Sequence, residues 1–189
     1  MKYLVEKYPL LNLEIHEVTT NQLVKDLREG KLDVGILSTP IAATDLETEL
    51  LYVEDLRLYG HLAAGEKKLS KSALSQQRIF LLQEGHCLRD QIIQLCDLKK
   101  NKSLPSNLSV ESNTFDTLLN LVDTFQGMTL LPALYVSQLN EERKQHLLAL
   151  EDGTLSREVS ICYYRPYAKW NIIRRLQTEI TEIVQRHLS

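Results

Sequence analysis

Apolar and polar positions along the chain change period repeatedly, and each change predicts an element. Tyr3-Leu4-Val5-Glu6-Lys7-Tyr8 reads as the tail of a helix ending at Pro9, and Leu13, Ile15 and Val18 alternate as a strand. Thr19-Thr20 can cap a helix whose apolar face is Leu23, Val24 and Leu27, with Gly30 as its stop. Residues 32–37 form a short buried strand that Ser38-Thr39-Pro40 breaks. Strand, helix, strand in this order predicts a parallel βαβ unit. Residues 50–53 and 56–62 read as two strands separated by the acidic Glu54-Asp55, and residues 65–72 as a polar turn. A strand over 79–82 then leads into a helix.

Further on, residues 99–107 are a polar loop and 108–110 a strand. A helix over 114–125 points Phe115, Leu118, Leu119 and Val122 inward. Residues 128–131 are a strand, 132–139 a short helix, and 141–145 a charged exposed stretch. Strands follow at 147–150 and 158–164, the latter holding Cys162 as a core residue. One long amphipathic helix over 168–188 closes the sequence, with Trp170, Ile173, Leu176, Ile180 and Ile183 at intervals of three and four.

The helix after residue 82 carries the candidate chemistry. In Gly85-His86-Cys87-Leu88-Arg89-Asp90-Gln91-Ile92-Ile93-Gln94-Leu95-Cys96, Leu88, Ile92 and Leu95 recur at helical spacing, and Gly85 marks the turn in. Nine helical steps of about 100° and about 1.5 Å place Cys96 on the face opposite Cys87 and about 13 Å along the axis. A disulfide needs Cα atoms about 4.4–6.8 Å apart, so the two sulfurs cannot bond while the helix stands. Cys87 falls at the expected helix N-terminus, where unpaired N–H groups, the dipole, His86 and Arg89 favour a reactive thiolate. Cys96 looks more buried. On spacing alone, two cysteines on one helix are ordinary small core side chains. A zinc site from His86, Cys87 and Cys96 lacks a Cys-x-x-Cys knuckle, so no metal site is expected.

Composition narrows the field. A chain of 189 residues can bury a real core in one domain or two small lobes. Its formal net charge of −3 gives no basic excess with which to grip nucleic acid by itself. The longest apolar runs fall far short of a membrane span, and the N-terminus lacks a signal peptide's apolar stretch. Three cysteines, an odd number, argue against an extracellular disulfide framework and for a reducing compartment such as the cytoplasm.

The run Gly85-His86-Cys87-Leu88-Arg89-Asp90-Gln91, with Cys96 nine residues after Cys87, resembles the redox centre of peroxide-sensing LysR-type bacterial transcription regulators. Gly127-Met128-Thr129-Leu130-Leu131-Pro132-Ala133-Leu134 resembles the Gly-[Ile/Met]-Thr-Leu-Leu-Pro-Ala segment of that family. Gly30-Lys31-Leu32-Asp33-Val34-Gly35-Ile36-Leu37 resembles the Gly-x-Leu-Asp strand of its effector domains, and Tyr164-Arg165-Pro166 and the last helix complete the likeness.

The resemblance implies an α/β fold of two Rossmann-like lobes joined by two crossovers, as in the periplasmic binding proteins. Residues 1–54 and 166–189 would form lobe I and 55–165 lobe II, with crossovers near Glu54-Asp55 and Arg165-Pro166. A preceding strand and a winged helix-turn-helix DNA-binding domain belong to the family pattern and are not in this sequence. The implied chemistry is a peroxidatic Cys87 resolved by Cys96, with Thr20, His86 and Arg165 lining the peroxide pocket. Arg89, Asp90 and Thr129 are supporting candidates, and for Arg89 and Asp90 a surface ion pair or cap is the plain alternative. The implied partners are hydrogen peroxide, a second copy in a homodimer (a tetramer at full length), DNA through the absent domain, RNA polymerase, and thioredoxin or glutaredoxin as reductant. Neither a cofactor nor a membrane is implied. Two rivals are a LysR-type domain binding a small metabolite between the lobes and a thiol peroxidase, an enzyme whose donor site the sequence does not supply.

Overall fold

The structure is a computed structural model that describes residues 2–62, 68–96, 112–164 and 169–188. Helices α1 (Lys2–Lys7) and α2 (Thr20–Arg28) precede strands β1 (Gly35–Thr39) and β2 (Leu46–Gly60). The short β3 (Lys68–Leu69) and α3 (Lys71–Leu74) lead to α4 (Cys87–Leu95), the cysteine helix. Then come α5 (Phe115–Phe125), β4 (Met128–Pro132), α6 (Ala133–Val136), α7 (Glu141–Lys144) and β5 (Leu147–Leu150). The long β6 (Leu155–Tyr164) and α8 (Trp170–Leu188) end the order.

The strands run β1-β6-β2-β5-β3, with β4 also on β2. All pairings are antiparallel except β3 with β5. The hydrophobic interior is divided. The larger cluster takes Leu56, Leu58 and Tyr59 from β2, Leu118, Leu119 and Val122 from α5, Leu130 and Leu131 from β4, and Leu88, Ile92 and Cys96 from the cysteine segment. At the other end, Leu23, Leu27, Leu37, Leu46 and Cys162 form one cluster and Leu51, Ile161, Tyr163 and Ile173 another. Two α/β lobes therefore share one sheet. The crossovers explain this: β2 and β6 are long strands that run from one core to the other as a ladder.

Several sequence expectations are corrected. Residues 50–53 and 56–62 are not two strands, because β2 runs unbroken from Leu46 to Gly60. An acid inside a strand reads as a break, since unpaired charge is rarely buried. Here Glu54 faces Arg157 across the ladder, and the guanidinium bonds its carboxylate at 2.6 and 2.9 Å. A register shift between Leu50 and Tyr52 leaves Leu50 exposed and Leu51 buried. No strand forms over 13–18, and β1 pairs antiparallel with β6, so the parallel βαβ unit is absent among the described residues. Residues 79–82 make only a single bridge, Ile79 with Met128, and the helix expected over 132–139 is the four-residue α6. The loop at 99–107, the strand at 108–110 and the crossover at Arg165-Pro166 lie outside the described residues.

Candidate functional site

Helix α4 forms because Leu88 and Ile92, one turn apart, both drop into the larger core at 4% and 2% exposure. His86 is its N-cap in extended conformation, with its carbonyl taking the Arg89 N–H at 3.0 Å, and Asp90 lies in the first turn. That acid complements the positive end of the helix. The helix ends at Cys96, whose N–H returns to the Ile92 carbonyl.

The approach to α4 is set by Gly85, whose φ is +94°. A Cβ there would lie 3.2 Å from both Cβ and Cγ2 of Thr19, so glycine serves both the left-handed backbone and the close approach. Thr19 caps α2 by accepting from the Gln22 N–H, and the Thr20 N–H donates to the Gly85 carbonyl at 3.0 Å. The N-terminus of α2 thus meets, at Gly85, the turn that leads into α4.

Cys87 stands at this junction, half-buried, and packs against the smaller core that contains Cys162. Its Sγ accepts the Ser38 backbone N–H at 3.4 Å. Gln91, one turn along α4, donates from Nε2 to the Thr39 carbonyl at 3.0 Å, and its buried Oε1 has no hydrogen-bond partner. The first two turns of α4 therefore rest on β1 through a sulfur and an amide, while the face bearing Leu88 and Ile92 rests in the other lobe.

Cys96 is a different thiol. It is 4% exposed in the larger core, and burial pushes its pKa up to about 11. Burial likewise raises Cys162 to about 12, the Gly35 N–H offsetting part and the Cys87 charge adding to it. At neutral pH both are protonated, and the thiolate is the nucleophile in thiol chemistry. All three cysteines are free.

The other sequence candidates are placed as follows. Thr20 is half-buried at the start of α2 beside Gly85, and His86 adjoins Cys87. Arg89 sends Nη1 to the Leu82 carbonyl at 2.9 Å, which fastens α4 to the preceding segment. Asp90 is exposed. Thr129 is fully buried in β4 opposite Tyr59, with no partner for its hydroxyl. Arg165 lies outside the described residues. Sequence reasoning missed Ser38 and Gln91. Gln91 was findable, since i and i+4 share a helix face, whereas nothing local marks Ser38 as the residue whose amide meets Cys87. Among the described residues no group of three His, Cys, Asp or Glu side chains can hold a metal ion. No described helix is long and apolar enough to cross a membrane.

The LysR substrate binding domain family matches residues 1–181 of the chain. The chain belongs to that family. A probable hydrogen peroxide-inducible genes activator of Mycobacterium leprae is 33% identical over 132 residues, which is 68% of this chain and 42% of that protein. A hydrogen-peroxide-bound C206S mutant of Corynebacterium glutamicum OxyR is 26% identical with a TM-score of 0.82, covering 99% of this chain and 60% of that one. The oxidised form of OxyR is 26% identical with a TM-score of 0.79, covering 100% of this chain and 89% of that one. The chain spans about half the length of the curated relatives it matches. Within the LysR fold, then, the α4 segment with its two cysteines joins the lobes directly, its first residue against one core and its last in the other.

Proposed function

We propose that this chain is the hydrogen-peroxide-sensing regulatory domain of an OxyR-like transcription regulator, switched by a reversible Cys87–Cys96 disulfide. The observation that carries the reading is the asymmetry of the two thiols on one helix. Cys87 is half-buried at the N-terminus of α4 with an N–H on its sulfur, and Cys96 is buried and protonated at the far end. The Cys87 thiolate attacks one peroxide oxygen, the O–O bond breaks, and hydroxide leaves with the bonding pair to become water. Cys87 is then a sulfenic acid. Once Cys96 emerges, its thiolate attacks the Cys87 sulfur, the S–O bond breaks, and a second hydroxide leaves as water.

In this reading Thr20, His86 and Arg165 line the peroxide pocket, with Gln91 Oε1 as a further acceptor. Arg89 holds the segment before α4, and Asp90 and Thr129 support their own elements. Lobe I is taken as residues 1–54 and 166–189 and lobe II as 55–165. The disulfide cannot close while α4 is helical, so its formation releases both lobes from α4 and alters their relation. That change would pass through a homodimer to a DNA-binding domain and RNA polymerase in the cytoplasm, with a thioredoxin or glutaredoxin restoring the thiols. The chemistry is one event per signal rather than turnover, so the domain is a sensor and not an enzyme.

The test is peptide mapping after treatment of the reduced domain with one equivalent of hydrogen peroxide. A Cys87–Cys96 linked peptide is expected. A free Cys87, or a link to Cys162 alone, would overturn the proposal.

A further inference from the structure

The amide that meets the Cys87 sulfur belongs to a strand that is itself anchored from the opposite side. Ser38 is buried at 2% exposure, and its Oγ accepts Nη1 of Arg157 at 3.0 Å. Arg157 in β6 also gives Nε and Nη2 to Oε1 of Glu54 in β2, and Oε2 of Glu54 takes the Leu134 N–H of α6 at 3.2 Å. Glu54 has no exposed side-chain surface and Arg157 retains 15%. One buried network thus ties both crossover strands, helix α6 of the larger lobe and strand β1 of the smaller lobe to the residue under Cys87.

We propose that the Glu54–Arg157 pair is a positioning device for the Cys87 thiolate, acting through Ser38. Arg157 does not touch the sulfur. Its fork holds the Ser38 hydroxyl, and the Ser38 backbone is thereby held with its N–H on Sγ. A hydrogen bond donated to the charged form of a group favours that form. A planar guanidinium with a carboxylate on one edge and a hydroxyl on another fixes direction as well as charge, which a lysine cannot reproduce. The same network crosses the hinge, so the set of the two lobes and the hydrogen bond on the Cys87 sulfur bias each other, as coupling between linked equilibria is reciprocal. This inference rests on the reading of Cys87 as the reactive thiol.

The experiment measures iodoacetamide alkylation of Cys87 against pH, read by peptide mass, in wild type, Ser38→Ala and Arg157→Lys. Peroxide consumption is followed in parallel. With the amide no longer held on sulfur, both variants should alkylate about threefold to tenfold more slowly at pH 7, the effect of losing about one ordinary hydrogen bond to the reacting atom. The rates should converge with wild type at high pH, where ionisation no longer limits. A core variant such as Leu119→Ala lowers stability without moving this pH profile. Ser38→Ala leaves the ion pair intact and keeps the test valid if Arg157→Lys fails to fold. Wild-type alkylation rates at pH 7 in the folded variants would overturn the positioning role, whatever peroxide does. Slowed alkylation in variants of a wild type that ignores peroxide would sustain the positioning role and defeat the sensor reading instead.

Discussion

Cys87→Ser should abolish the rapid reaction of this domain with peroxide, leaving Cys96 and Cys162 as protonated thiols in closed cores. Burial holds these at pKa values of about 11 and 12, so at neutral pH neither supplies an appreciable thiolate. Cys96→Ser should have a different outcome. Attack by Cys87 proceeds, no partner arrives, and the sulfenic acid persists long enough for a dimedone-type probe to trap it. Cys162→Ser should oxidise and cross-link as wild type does. Mass spectrometry of the labelled domain reads all three results. Rapid oxidation in Cys87→Ser, or no trappable species in Cys96→Ser, would reverse the assigned roles.

The second large effect is on stability. Glu54→Ala should cost about 3 kcal/mol or more in urea unfolding, since removing one partner of a buried ion pair typically costs about 3–5 kcal/mol. Three groups lose their acceptor at once: the two Arg157 nitrogens and the Leu134 N–H. The residual exposure of Arg157 at 15% places the expectation at the lower end of the range. Domains of this size have about 5–15 kcal/mol in total, so this single change should remove between about a fifth and more than half of the stability. A Glu54→Leu/Arg157→Leu double variant should recover part of the loss, because no charge is left unpaired. A loss under about 1 kcal/mol in Glu54→Ala would mean the pair is solvated in solution.

These energies also bear on the switch. Burial of Leu88 and Ile92 contributes about 3–6 kcal/mol as an upper estimate at about 1.5–3 kcal/mol for each side chain. Unwinding α4 to close the disulfide forfeits some of that packing. Each 1.4 kcal/mol lost in the oxidised form raises the potential of the couple by about 30 mV. The linked form is therefore easier to reduce than an unstrained structural disulfide, which suits a signal that must be reset.

Much of this was legible in the sequence where local rules decide. The helix at α4, the opposed placement of Cys87 and Cys96, the inward face of α5 and the core position of Cys162 follow from periodicity and agree with the structure. What failed required partners distant in sequence. The alternation of Leu13, Ile15 and Val18 has a strand's period, yet a strand needs a ladder neighbour. None pairs with it among the described residues, and Ile15 is 62% exposed. Glu54 looks like punctuation because its counter-charge lies 103 residues away in β6. Ser38 looks like a strand-breaker because its place under Cys87 depends on how α4 docks on β1. The helix that carries Cys87 and Cys96 is therefore visible in the sequence, and the frame that holds it is not.

An intact α4 and a Cys87–Cys96 bond are incompatible. Amide hydrogen exchange over residues 88–96, measured on the reduced and the cross-linked domain at the same pH, tests it directly. The account predicts protected amides in the reduced domain and exchange approaching that of an unstructured chain throughout this segment once the bond has formed. Equal protection in the two states, with the Cys87–Cys96 link verified by mass, would contradict it.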